Sequence, residues 1–276
     1  MDKYWLKSYP QDVPATIDLT EYSSLKELTE KSGAKYADRD ADAMMDRAAT
    51  DGELQRDSAA FAAWLQHKAH ALPGTRIALM MPNVLQFPVA LFGAIRAGLT
   101  VVNVNPLYTS HELEHQVNDA GAEIIVVLEN FAQVVEHALP KTGLKTVIVT
   151  SVGGMLGTLK GTIVDFVVRR IHRKVPAWSI AGALRFEKLV AEGRGLALRP
   201  VQVGPEDIAF LQYTGGTTGV SKGAVLTHRN MVANVLQGRA WFGAKMPERA
   251  TYVIALPLYH IFSLTANCLV FMSVGA

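Results

Sequence analysis

The sequence predicts an α/β fold: doubly wound, mostly parallel sheets flanked by helices. Two observations predict it. Between residues 76 and 150, strand-length apolar runs alternate with helix-length amphipathic segments. Those apolar runs are continuous, without the in-out alternation of a half-exposed strand, as parallel strands covered on both faces require. A third feature sharpens the prediction. After the apolar run Ile208, Ala209, Phe210, Leu211 comes Tyr213 to Gly223, with four glycines, three threonines, a serine and a lysine, so a strand leads into a loop of anion-binding composition.

The chain divides into an N-terminal segment (1–72), a first α/β unit (73–150), an irregular insertion (151–200) and a phosphate-loop unit (201–276). In the first unit, residues 76–81 form a strand, 85–97 a helix stopped by Gly98, and 100–103 a second strand. The cycle repeats with a helix over 112–120 ending at Gly121, a strand over 124–128, a helix over 132–138 and a strand over 146–150. In the insertion this rhythm fails. There Val164, Val167, Val168, Ile171 and Val175 share one side of a helix, and Asp165, Arg169, His172 and Arg173 the other. Residues 160–174 hold five basic side chains against one acid. This basic amphipathic helix fits a surface helix with a solvated charged face, or one resting on anionic lipid.

In the last unit the strand at 208–211, the loop, a short apolar run at 224–226 and a helix from His228, capped by Thr227, follow in order. Residues 250–276 contain no Asp, Glu, Lys or Arg. Pro257 and His260 divide this stretch into a buried strand over 253–256 and a core helix over 261–274. A C-terminal membrane anchor is the alternative.

Composition narrows the function. A formal net charge of +2 gives no bulk attraction to nucleic acid. One cysteine, Cys268, rules out an internal disulfide and fits a reducing compartment. Residues 1–7 lack the apolar core of a signal peptide, so a cytoplasmic location is expected. His67 with His70, and His111 with His115, lack the further ligands of a zinc site. Tyr108, after Asn105 and Pro106, reads as a turn and packing residue.

The loop Tyr213, Thr214, Gly215, Gly216, Thr217, Thr218, Gly219, Val220, Ser221, Lys222, Gly223 carries the chemistry. Glycines let backbone N–H groups approach an anion, hydroxyls add neutral donors, and Lys222 adds a mobile positive charge. It is not a Walker A sequence, because Ser221 precedes the lysine and Gly223 follows it. A flexible linker would be polar on both sides, whereas this loop lies between apolar runs.

In residue order the loop resembles the phosphate loop of the adenylate-forming, AMP-binding enzymes. Asn103 to Tyr108, Leu113 to Gln116, Thr227 to Asn230 and Ala255 to Phe262 are similar to the bacterial long-chain fatty acid–CoA ligase branch. The resemblance implies that a fatty carboxylate attacks the α-phosphate of ATP to give acyl-adenylate and pyrophosphate, and that the thiol of coenzyme A then displaces AMP. It implies that Tyr213, Thr214, Gly215, Gly216, Thr217, Thr218, Gly219, Lys222 and Gly223 border the nucleotide phosphates, with Thr214 also contacting Mg²⁺. It implies that Tyr259, His260 and Phe262 line the acyl pocket. ATP, Mg²⁺ and coenzyme A are the implied cofactors and co-substrates, a long-chain fatty acid the partner, and peripheral contact with the inner face of the cytoplasmic membrane accords with delivery of that acid.

Two departures qualify the resemblance. Relatives carry a proline and then an aromatic near positions 40 and 42, and an aromatic at position 51; here Asp40, Asp42 and Asp51 stand there. Burying an aspartate costs several kcal/mol or forces its protonation, so the usual edge hairpin over 38–54 is not expected to form normally. The family's later adenine and metal segment, its ribose-binding aspartate and the catalytic lysine of its small C-terminal domain are absent from these 276 residues. No catalytic residue is therefore assigned. The chain reads as a truncated N-terminal AMP-binding domain that is inactive by itself. The alternatives are a non-enzymatic nucleotide- or acyl-binding remnant and a membrane-anchored module.

Overall fold

A computed structural model of the chain describes residues 3–214, 221–242, 246–247 and 249–276. Its elements follow the chain in this order: α1 (Leu25–Lys35), β1 (Asp40–Met44), β2 (Arg47–Thr50), α2 (Asp51–His67), β3 (Arg76–Met80), α3 (Gln86–Arg96), β4 (Thr100–Asn103) and α4 (Ser110–Ala120). Then come β5 (Ile124–Leu128), α5 (Ala132–Ala138), β6 (Thr146–Thr150), α6 (Thr158–Phe166), β7 (Leu184–Arg185) and α7 (Phe186–Gly193). The chain continues through β8 (Ile208–Thr214), β9 (Lys222–Thr227), α8 (His228–Phe242), α9 (Ile261–Ser263) and α10 (Val270–Val274).

Seven strands form one sheet in the order β7-β6-β5-β3-β4-β8-β9. Neighbours are parallel except β8 and β9, which are antiparallel. Every residue of β4 and β5 is buried, which is what their uninterrupted apolar runs demand. One hydrophobic cluster joins the sheet to α2, α3, α7, α8 and α10. A second joins the opposite face to α4 and α5. Since α3 follows β3 on one face and α4 follows β4 on the other, the chain leaves these adjacent strands to opposite sides. A crevice at their carboxyl ends is the normal result.

Capping fixes the helix that borders this crevice. Glu112 N donates to Thr109 Oγ1 at 3.3 Å and Thr109 N donates to Glu112 Oε2 at 2.8 Å, a reciprocal cap that starts α4 two residues earlier than the expected residue 112. Gly121, with φ of 62°, ends it. At α8 the expected cap holds: Asn230 N donates to Thr227 Oγ1 at 3.2 Å.

Four sequence expectations need correction. The hairpin over 38–54 forms, as β1 paired antiparallel with β2. Met45 and Asp46, both with positive φ, make its two-residue turn. Arg47 Nη2 donates to both Glu53 oxygens at 2.9 Å, and Thr50 and Glu53 cap α2 reciprocally. Local bonds thus suffice to build it, and the register shifts between Asp40 and Asp42.

The insertion is less irregular than its sequence. It supplies β7 to the sheet edge and α7 against α2.

The basic helix is turned differently from its pattern. Asp165 accepts from Ser151 Oγ at 2.7 Å and from Gly153 N at 2.8 Å, and Arg169 makes two bonds to the buried Glu129 at 2.7 and 2.8 Å. Those charges face the domain, while Leu159, Ile163, Phe166 and Ile171 are exposed. A π-type turn over Val167–Ile171 shifts the helix phase, which regular 3.6-residue spacing does not anticipate.

Residues 253–256 form no strand, and Val253 is 96% exposed. Asn83 Nδ2 donates to Leu256 O at 3.0 Å and to Ile254 O at 3.4 Å, and Leu258 N donates to Asn83 Oδ1 at 2.8 Å. A side chain takes the place of the neighbouring strand that an apolar run needs. The helix expected over 261–274 is present as α9 and α10 joined by a π-type turn at Leu264–Leu269. Among the described residues no helix is long and apolar enough to cross a membrane.

Candidate functional site

The β8–β9 hairpin is the platform of the expected phosphate loop. Tyr213 lies opposite Gly223, and Thr214 opposite Lys222. Gly215, Gly216, Thr217, Thr218 and Gly219 lie outside the described residues, so the described part is the mouth of the loop. Ser221 Oγ donates to Thr214 O at 2.8 Å and closes that mouth. Thr214 and Lys222 are both exposed there, presenting a hydroxyl and an ammonium from adjacent strands. The two residues suit an anion: a neutral donor and a mobile cation at one strand end.

Tyr213 and Gly223 have a different local task. The Tyr213 hydroxyl donates to Asp119 Oδ2 on α4, and burial, with that carboxylate, raises its ionisation above the usual phenol range. A Cβ on Gly223 would come within 2.9 Å of the Tyr213 ring. Glycine is needed here for close approach. Backbone, not side chain, is what these two positions offer the loop.

A run of buried amides ties the platform to the rest of the crevice. Gln116 Nε2 donates to Asn103 O at 2.8 Å, Asn103 Nδ2 donates to Gln212 Oε1 at 3.1 Å, and Gln212 Nε2 donates to Tyr259 O at 3.3 Å. Gln212 lies two residues before Thr214, so the segment containing Tyr259, His260 and Phe262 is fastened to the strand that leads into the loop. Asn83 fastens the same segment from the end of β3. Sequence reasoning missed these four amides. Their signal was a lone polar residue closing an apolar strand, as in Thr-Val-Val-Asn103 and Ala-Phe-Leu-Gln212.

His260 is exposed and caps the last helix, its Nδ1 accepting from Phe262 N at 3.3 Å. Phe262 is also exposed and Tyr259 is half-buried. A cavity of about 540 Å³ lies nearby, but none of these three residues lines it; Leu258 does. His228, at the start of α8, is buried. Its Nδ1 accepts from Leu25 N at 3.2 Å, and desolvation pulls its pKa down to about 4, so it serves as a neutral structural acceptor. Among the described residues no cluster of three His, Cys, Asp or Glu could hold a metal ion. Thr214 supplies a single hydroxyl, which alone does not make a magnesium site.

The AMP-binding enzyme family matches residues 29–276. Over 276 residues the chain is 51% identical to the long-chain-fatty-acid–CoA ligase of Escherichia coli O6:H1, covering 100% of this chain and 49% of that protein. Against the long-chain-fatty-acid–CoA ligase of Haemophilus influenzae the identity is 43% over 279 residues, covering 100% of this chain and 50% of that one. The crystal structure of a long-chain-fatty-acid–CoA ligase from Archaeoglobus fulgidus superposes with a TM-score of 0.71 at 24% identity, covering 92% of this chain and 46% of that one. Apo MbtA of Mycobacterium smegmatis gives a TM-score of 0.74 at 22% identity, covering 99% and 45%. At those identities the structural likeness speaks for the fold. The chain spans about half the length of the curated relatives it matches. With the family match running through β8, the loop mouth and the fastened segment beyond them, this chain belongs to the AMP-binding enzyme family.

Proposed function

We propose that this chain is the phosphate-binding part of a long-chain fatty acid–CoA ligase, which activates a fatty acid with ATP and passes the acyl group to coenzyme A. The observation that carries this reading is the placement of Thr214 opposite Lys222 at the mouth of the loop. The names of the relatives supply the substrate class.

In the first half-reaction a fatty carboxylate oxygen bonds to the α-phosphorus of ATP, and the bond to the bridging oxygen of pyrophosphate breaks. Charge grows on the departing phosphates. Lys222 and the Thr214 hydroxyl, with the backbone N–H groups of the loop, are suited to hold that charge, which is the main protein contribution to such transfers. In the second half-reaction the coenzyme A thiol attacks the acyl carbon and AMP leaves. Tyr259, His260 and Phe262 flank the acyl group in this reading, supported by the Gln212 bond that fastens them to β8. Magnesium would shield the phosphates when bound. The described residues offer it Thr214 alone, so no step is routed through it.

Calorimetric titration of the chain with ATP and with pyrophosphate tests the reading. Lys222→Ala is expected to weaken both by about tenfold, the scale of one hydrogen bond to a charged group. Unchanged affinity would remove Lys222 from the site. Turnover in a pyrophosphate-exchange assay with oleate by these residues alone would show that they hold more of the machinery than proposed.

The same reading includes peripheral contact with the inner face of the cytoplasmic membrane through α6. Leu159, Ile163, Phe166 and Ile171 are exposed, and Arg170, Arg173 and Lys174 lie exposed beside them. Apolar side chains ringed by cations suit an anionic bilayer. Sedimentation with phosphatidylglycerol vesicles, lost in Ile163→Asp/Phe166→Asp and absent with phosphatidylcholine, is the expected result.

A further inference from the structure

The cavity of about 540 Å³ lies behind the β1–β2 hairpin, bounded by the start of α2, the β3–α3 connection, residues 250–254 and the last helix. Its walls include Met44, Val84, Phe92, Leu258, Phe271 and Met272. Two of the positions lining it, 42 and 51, are those where the family carries aromatic rings and this chain carries aspartates. Shorter side chains leave space there, and they bring charge into it.

Asp51 is the informative group. It is 2% exposed, and its Oδ1 is buried with no hydrogen-bond partner. A buried carboxylate oxygen without a donor is costly. Asp42 lines the same space. Arg39 acts on Asp51 from outside the lining, but its guanidinium also lies over the Tyr36 ring at 4.7 Å and donates to Gly275 O at 2.9 Å.

We propose that this cavity binds a primary alkylammonium ion, whose N–H groups donate to Asp51 Oδ1 and the Asp42 carboxylate while its hydrocarbon chain lies against Met44, Phe92, Phe271 and Met272. Charge selects the head. A fatty carboxylate would meet two acids, and an alcohol would offer a donor without a compensating charge. A bare metal ion would need more oxygen donors than apolar walls supply. The volume is within the range of small-molecule sites, where a few polar groups orient an apolar ligand. The site is separate from the phosphate loop and does not depend on the proposed ligase activity.

Protonation sets the working range. Burial pushes Asp51 up to about 7 against the pull of Arg39, and burial also raises Asp42. Cys268, which lines the cavity with Asp40 and Tyr252, is pushed up to about 12 by burial and stays a neutral thiol. Binding therefore strengthens from pH 6 to pH 8, as Asp51 ionises.

Titration calorimetry of the 276-residue chain with n-octylamine, octanol and octanoate tests the proposal. At pH 8 octylammonium is expected to bind saturably at one site and at least about tenfold more tightly than octanol, with octanoate excluded. Asp51→Asn, which preserves shape, should weaken it by about tenfold. Asp42→Phe/Asp51→Phe, which refills the space with rings, should abolish binding and raise the melting temperature. No saturable binding at pH 8, octanol binding as tightly as the amine, or full affinity in Asp51→Asn would each overturn the proposal.

Discussion

Under the β8–β9 hairpin, Gln116, Asn103 and Gln212 pass hydrogen bonds from one to the next, whereas behind the β1–β2 hairpin Asp51 buries an oxygen that meets no donor. The first region is not free of orphans, for Gln116 Oε1 and Asn103 Oδ1 are also buried without partners. The difference is charge. An amide oxygen left unpaired costs about the same at any pH, on the order of 1–3 kcal/mol. An unpaired carboxyl group changes its protonation instead, so its cost depends on the solution. Neutral amides can therefore fasten a segment permanently, and a lone buried acid makes its region responsive.

The contrast is most easily broken at Asp51. Its folded pKa of about 7 lies above the ordinary carboxylate value. The native state thus holds its proton while the unfolded chain has released it, and stability is lost as pH rises from about 4 through about 7. Asp51→Asn should then stabilise the chain by about 4 kcal/mol at pH 8 and by little at pH 4. Urea unfolding at both values checks this, and an equal gain at both would erase the distinction drawn here.

His228 gives the opposite slope. Burial holds its folded pKa at about 4, so between the ordinary histidine value and 4 the unfolded chain takes up a proton that the native state refuses. Stability falls as pH drops through that window, by about 3 kcal/mol in all. His228→Gln should flatten the acid limb and leave the alkaline limb due to Asp51 unchanged.

Gln212→Leu probes the neutral region. It strands Asn103 Nδ2 and Tyr259 O, with an expected loss of about 2 kcal/mol that is the same at pH 5 and pH 8. A pH-dependent loss would mean that charge operates there too. The smallest effect is expected at the hairpin itself. Thr50→Ala removes one half of the α2 cap and should lower stability by about 1 kcal/mol, measured by the same unfolding curves.

Much of the sheet was legible because burial on both faces leaves one solution for an uninterrupted apolar run. The observed bounds of β4, β5, α5 and β6 coincide with those expected from such runs. What escaped was set by single residues. Met45 and Asp46 adopt left-handed angles that their side chains do not advertise. The π-type turn at Val167–Ile171 changes which side of the helix faces inward, and a periodicity count assumes constant phase. At the candidate site, Thr214, Lys222 and the Tyr259–Phe262 segment were marked by composition and resemblance. The amides that position them were not, because one Asn or Gln in a strand carries no period.

Asn83 reaches the carbonyls of Ile254 and Leu256 and the N–H of Leu258, all alternate positions along the chain. In extended backbone such groups project from one margin, so a single amide has taken up that margin. Val253 and Ala255, both exposed, alternate with them. Any polypeptide adding itself alongside would meet a ribbon whose inner border is already sealed and whose outer border stands open for recruitment.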